Sequence, residues 1–348
     1  MSIVSHIFGF LPDGREVMAY TLKNTNGLEF EVIPYGCRLI KILTKDRDGK
    51  VGDIILGHDQ LDDYYGHNFH GSFVGPCANR ISKGSFELDG VIYKLDKNNG
   101  NNTVHSGEQG LHQVLWNVVE IIDTETPSIR FSYEKKDGEC GFPGNLVINV
   151  TYSLSSDNTI TMSYLGKSDK KTIFNPTNHS FFNLSGDFSQ TILNTELMID
   201  ADYITEVNDE LIPTGQLISV KNTPYDFSHL KKIGKDIYSQ DHGLVTNGGY
   251  DHNYCLNGQG FRKVAQAYDP KSGRNMDVYT DMPGLQLYTF NRATPLVGKN
   301  GIPFSNHSAF CLETQFYPDS IHQPTFPFQV LESNKPLETV TGYHFSSF

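Results

Sequence analysis

The chain has 348 residues, with 28 Lys+Arg against 40 Asp+Glu and a formal net charge of -12 at pH 7. Affinity for phosphate backbones and anionic lipid surfaces comes mainly from clustered Lys and Arg, so nucleic acid and membrane surfaces are excluded as expected partners. Only 7 residues are Ala, the best helix former, against 32 Gly, 16 Pro and 12% aromatics; this excludes a helical bundle and suits many strands joined by tight turns.

In chain order, the N-terminal MSIVSHIFGFLPDGREVMAY has no basic stretch leading into an apolar one, so no secretory signal is expected. A short helical stretch is expected around Leu61–Tyr65. Asp89-Gly90 between SFEL and VIYKL is a two-residue hairpin signal. Ile129, Phe131 and Tyr133 alternate with polar residues, as do Leu146, Ile148, Val150, Tyr152 and Leu154. After the turn-like Ser155–Asn158, Ile160, Met162 and Tyr164 continue the pattern. Period 2 is the signature of a strand with one buried face. A second helical stretch is expected around Ser228–Ile237. No apolar run of about 18 residues occurs, so no membrane span is expected.

A guide of roughly 150 residues per domain points to two domains, but no linker, low-complexity tract or repeat divides the chain. Residues 1–348 therefore read as one domain, an all-β sandwich or barrel whose concave face is suited to a ligand. The cysteines, Cys37, Cys77, Cys140, Cys255 and Cys311, are odd in number and contain no C-x-x-C, so neither a disulfide framework nor a zinc knuckle is expected. Thiols of this kind fit a cytoplasmic protein.

P-loop, dinucleotide, G-x-S-x-G and H-E-x-x-H motifs are all missing. His67 and His70 have a spacing that serves a metal on a helix, but their flanking glycines make a loop and no third ligand is evident; no metal is expected. Five segments instead combine rare polar types with turn residues: 75–81, 101–116, 174–186, 247–256 and 311–320. They offer Arg80, His105, His179, Asp251 and Glu313.

Glu313 lies in the apolar run Ala309–Leu312. A carboxylate there is either a base whose pKa burial has raised or half of a structural ion pair, with Arg80 the candidate partner. His179 reads as a proton donor near neutral pH or as a satisfied core histidine. His105 reads equally as a loop histidine, Asp251 as an Asx-turn residue, and Arg80 as a surface cation. Trp116, the lone tryptophan, is a sugar platform or a core residue.

Taken together the segments resemble those of the aldose 1-epimerases (galactose mutarotases). The resemblance rests on Asn79-Arg80; His105-Ser106-Gly107; P-T-N-H-S-F-F-N-L from Pro176 to Leu184; Gly249–His252; Pro283-Gly284-Leu285-Gln286; and E-T-Q-F-Y-P-D from Glu313 to Asp319. It runs from about residue 10 to the C-terminus. It implies a large antiparallel β-sandwich with an open cleft, acting on free aldoses such as galactose and glucose without metal or other cofactor. By the same resemblance Glu313 is the general base and His179 the general acid. His105 supports the acid step near the ring oxygen, and Asn79, Arg80, Asp251 and Gln286 hold sugar hydroxyls. Monomer and homodimer both stay open. Two residues depart from the family pattern: Ser106 stands where Gly is usual, and His322 where Asn is common. Three rivals stand beside this reading. They are a glycosidase built on Glu313 and Asp251, a non-catalytic sugar-binding module, and an epimerase of a modified aldose.

Overall fold

The computed structural model describes residues 2–66, 68–294 and 296–348. Period-2 alternation is converted directly into sheet faces. In the strand Leu146–Leu154 the alternating Leu146, Ile148, Val150, Tyr152 and Leu154 are buried and the residues between them, Val147 included, are half-exposed or exposed. Its neighbour Thr159–Ser168 follows the same rule. The two pair antiparallel from Leu146↔Ser168 to Leu154↔Ile160, across the predicted turn. The Asp89-Gly90 hairpin is also present, joining Ser85–Leu88 to Val91–Lys94 with both turn residues at positive φ. That geometry fits the right-handed twist of the paired strands.

Three antiparallel sheets dominate. Five strands from Ser2–Phe10 to Val51–Asp53 pair in sequence order. A nine-stranded sheet runs from Asn117–Ile122 through Thr159–Ser168 and Pro336–Ser347 to Lys231–Lys232. The third has the order Pro213–Ser219, Ala201–Val207, Asp251–Leu256, Gly284–Tyr288, Cys311–Gln315. Phe30 and Val32 of the first sheet, Phe131 and Tyr152 of the second, and Leu285 and Leu312 of the third belong to one continuous apolar cluster. The architecture is an all-β sandwich. Trp116 is a core residue: it is buried, meets Phe73 edge-to-face at 4.9 Å, and its Nε1 donates to the Leu111 carbonyl.

Helix is scarce, as the low Ala content implied, but one expected helix is misplaced. Leu61–Tyr64 forms a single 3₁₀ turn. Residues around Ser228–Ile237 do not form a helix: Lys231–Lys232 pairs as a strand with Glu196 and Leu197, and only Ile233–Lys235 makes a 3₁₀ turn. Gly234 sits against Leu193, where a Cβ would approach the Leu193 carbonyl to 2.7 Å. Sheet pairing and this close approach override the local pattern. The α-helix among the described residues is His242–Asn247, with Asp241 capping its first amides and Gly248 closing it at φ 69°. No helix among the described residues is long and apolar enough to cross a membrane.

Because one apolar cluster joins the three sheets, we propose that the chain unfolds as one unit. Scanning calorimetry should show a single transition. Phe131→Ala, which empties a fully buried site, should lower that whole transition by about 3–5 kcal/mol of stability. Two resolved transitions, with only one moved by the substitution, would mean separate domains.

Candidate active site

Strand register builds the acidic wall. Gly284–Tyr288 lies between Asp251–Leu256 and Cys311–Gln315, with Gln286 opposite Glu313 and Tyr288 opposite Asp251. Successive side chains leave opposite faces of a sheet. Leu285, Leu287 and Leu312 therefore enter the core, while Asp251, Gln286 and Glu313 share the other face. Gln286 Nε2 donates to Asp251 Oδ1 at 2.7 Å. Arg80 approaches the other oxygen of Asp251 at 3.8 Å, and its Nε donates to Asn99 Oδ1. The ion-pair partner of Arg80 is thus Asp251, which removes the Arg80–Glu313 pair considered as an alternative for Glu313.

Two turn segments build the imidazole wall. Thr177–Asn178 pairs with Phe73–Val74, and the His179 amide continues the ladder to the Ser72 carbonyl. The His179 ring stacks on Phe181 at 4.8 Å and meets His105 edge-to-face at 5.2 Å. Opposite, Val104 pairs with Arg80; the His105 amide donates to the Asn79 carbonyl and the Asn79 amide donates to His105 Nδ1 at 3.2 Å. An Nδ1 that accepts leaves the proton of the neutral ring on Nε2.

His179 Nε2 lies 3.5 Å from Glu313 Oε1, with both side chains almost wholly out of water. Burial, followed by the nearby Asp251 charge, pushes the Glu313 carboxyl well above the usual carboxylate range; Arg80 opposes this. Burial pushes His179 down to about 3. The ring expected to donate near neutral pH is therefore held neutral, because a charged imidazolium loses its hydration there. Both shifts favour the uncharged form of each group, a protonated carboxyl and a neutral ring.

All seven residues singled out from the sequence, Asn79, Arg80, His105, His179, Asp251, Gln286 and Glu313, line one cleft of about 500 Å³. Aromatic neighbours missed in the sequence complete it, among them Phe69, Phe181 and Tyr288. Phe181 lies two residues beyond His179 and Tyr288 two beyond Gln286, so strand alternation was an available signal. Also missed was Arg38, which is fully buried and donates to the carbonyls of Asn68, His70 and His112 behind the cleft. Its signal was the same as that of Glu313, a charge inside an apolar run. A larger cavity of about 750 Å³ surrounds Lys231–Asp236, but Lys231 is already paired with Asp236 and no imidazole–carboxylate pair occurs there among the described residues.

His105, His179 and Glu313 present ligand atoms within 4.8 Å of one another, and two imidazoles with a carboxylate suit a zinc-class dication by type. The histidines whose spacing in the sequence suited a metal, His67 and His70, are not part of this cluster. His67 lies outside the described residues. His70 is a buried ring stacked on Phe181 with Nδ1 against Asn68 Oδ1. Of the two departures from the family pattern, His322 pairs with Asp319 at 2.7 Å and lines a neighbouring cavity instead of the cleft. Ser106 is buried under the His105 turn.

The family model described as aldose 1-epimerase matches residues 18–344. Galactose mutarotases from Bos taurus and Homo sapiens are each 37% identical to the chain, with 99% of both chains covered. An aldose 1-epimerase from Haemophilus influenzae is 33% identical over 90% of each chain. Among solved structures, an aldose epimerase homologue from C. elegans superposes with a TM-score of 0.87 at 28% identity, covering 94% of this chain and 98% of that one. A galactose 1-epimerase from Lactobacillus acidophilus gives 0.87 at 26% identity, covering 99% of each.

The Glu313 environment has a consequence for stability. A carboxyl whose folded pKa is raised contributes fully below its unfolded pKa, and that contribution is lost as pH rises toward the folded value. Gln carries no such loss. Glu313→Gln should therefore melt at a higher temperature than the wild type at pH 8, with the gap closing near pH 4. A lower melting temperature at pH 8 would contradict the unfavourable burial of this carboxylate.

Proposed function

The chain belongs to the aldose 1-epimerase family and is an isomerase, and from that premise we propose that it interconverts the α and β anomers of free hexoses, D-galactose and D-glucose, by acid–base ring opening. The observation that carries the reading is the buried His179–Glu313 pair, 3.5 Å apart, in a cleft whose remaining polar groups suit sugar hydroxyls.

In the proposed reaction the Glu313 carboxylate takes the proton of the anomeric hydroxyl. The C1–O5 bond breaks, and O5 takes the proton carried by His179. The open-chain aldehyde turns about C1–C2 and closes on its other face, with Glu313 now the donor and His179 the acceptor. One proton on the pair serves both directions. With the proton on Glu313 the pair is in the state that closes the ring; moving it to His179 gives the state that opens it. His105, with its proton on Nε2, supports the acid step at the ring oxygen. Arg80, Asn79, Asp251 and Gln286 orient the hydroxyls, and Phe181 and Tyr288 shield the proton transfers from water. The five free thiols fit a reducing compartment, and we place the protein in the cytoplasm on that ground.

A glycosidase would use Glu313 and Asp251 as its two carboxylates. The titratable side chain against Glu313 is instead an imidazole, at 3.5 Å, and Asp251 is engaged by Gln286 and Arg80.

Polarimetry of freshly dissolved α-D-galactose and α-D-glucose should show a catalysed approach to the same final rotation. Glu313→Gln and His179→Asn should each slow it roughly 10²–10⁴-fold while the protein stays folded, since each removes one positioned proton-transfer group. Near-normal turnover in either variant would sink the assignment. The pH dependence follows from the pair. Its second proton goes on only where His179 is protonated, near pH 3, and its single proton leaves only above the ordinary carboxylate range. kcat/KM should therefore hold level through mildly acidic pH and fall on the alkaline side, and the residual activity of Glu313→Gln should lack that alkaline limb.

A further inference from the structure

Ser106 is the residue at which this chain leaves its family's pattern beside His105, and its hydroxyl has an unusual assignment. Ser106 Oγ accepts from the Cys77 amide at 2.9 Å and donates to the Cys77 carbonyl at 2.9 Å. The side chain is 2% exposed, so water does not compete for either bond. Three successive residues, His105, Ser106 and Gly107, have positive φ, at 52°, 68° and 91°. Glycine adopts that region without cost; serine does so against a steric preference, and it persists here because its side chain gains two buried hydrogen bonds.

The consequence is geometric. Backbone pairing between the two segments ends at Val104↔Arg80, and one further amide bond links His105 to the Asn79 carbonyl. Beyond that point the strands diverge. The serine side chain takes the place of the missing rung and ties the far side of the His105 turn to Cys77, two residues before Asn79. His105 is thereby held between two fixed points. One is the Asn79 amide on its Nδ1, and the other is the hydroxyl bridge of its own successor. The same bridge fixes the segment that carries Asn79 and Arg80.

We propose that Ser106 is a positioning residue. Its hydroxyl clamps the His105 turn onto Cys77, which keeps the Asn79 amide on His105 Nδ1 and the proton of the ring on Nε2, facing the sugar. The effect on turnover rests on the epimerase reading above; the effect on the ring does not. A hydroxyl bridge to backbone carries no sequence requirement at Cys77, so only residue 106 has to change for the clamp to be lost.

The test compares Ser106→Ala with Ser106→Gly. Alanine keeps the strained backbone and loses the clamp. Glycine relieves the strain and loses the clamp. A purely structural serine predicts that glycine restores everything. The clamp predicts that glycine recovers the melting temperature yet leaves kcat/KM about tenfold below wild type, chiefly through kcat, as misalignment of a catalytic group does. It also predicts a change in the ring nitrogens of His105. Nitrogen-15 spectra of the wild type should show the proton on Nε2, and both variants should move toward exchange between the two nitrogens. Wild-type kcat/KM in Ser106→Gly overturns the proposal, as do unchanged His105 nitrogens in that variant. If the wild type shows no mutarotation at all, the epimerase reading fails, and the nitrogen signals still decide whether the clamp exists.

Discussion

A carboxylate held out of water on the edge strand of a sheet governs the arrangement of the cleft. Glu313 has Leu312 and Thr314 directed away from it and Gln286 beside it on the neighbouring strand. It is 2% exposed, and one of its oxygens has no hydrogen-bond partner among the described residues. A buried ionised carboxylate with incomplete pairing is costly, so the group keeps a proton more readily than it would in water. That same reluctance to ionise suits the group to the role of base proposed for it. His179 is the complement. Its burial between aromatic rings opposes a positive charge, so the two neighbouring groups each resist being charged alone.

Holding this pair in place requires rigid elements on both sides. The carboxylate side is simple, because three paired strands fix Asp251, Gln286 and Glu313 by register. The imidazole side is made of turns and needs separate support. Arg38 supplies part of it. Its guanidinium donates to four carbonyls, those of Tyr64, Asn68, His70 and His112, and burial lowers its pKa to about 10 without removing its charge at neutral pH. A guanidinium can satisfy several carbonyls at once because its donors are fixed in a plane. Loops that would otherwise leave buried carbonyls unpaired are thereby closed around the cleft.

The strained backbone positions lie in the same region. Asn79, His105 and Ser106 all have positive φ, and each takes part in the hydrogen bonds that join the 75–81 and 101–116 segments. Residues in this conformation persist where the surrounding structure fixes them from more than one side. Here the fixing contacts are backbone amides and a buried hydroxyl.

The sequence by itself determined the fold class and singled out the residues that the structure brings together in one cleft. Alternation from Leu146 to Leu154 and from Ile160 to Tyr164 fixes which face of a strand is buried, since side-chain direction along a strand is a local property. A charge in an apolar run marked Glu313, and the segment around His179 was visible as a polar cluster between strands. What was not legible depends on contacts between residues far apart in the chain. Arg80 pairing with Asp251 instead of Glu313, the 3.5 Å approach of His179 to Glu313, and the neutral state of His179 are all set by packing. The stretch from Ser228 to Ile237 failed as a helix for the same reason, because pairing with Glu196 and Leu197 decided its conformation. Local pattern specifies which side of an element faces inward; only the tertiary structure decides what it meets there, and burial and neighbouring charge then set its chemistry.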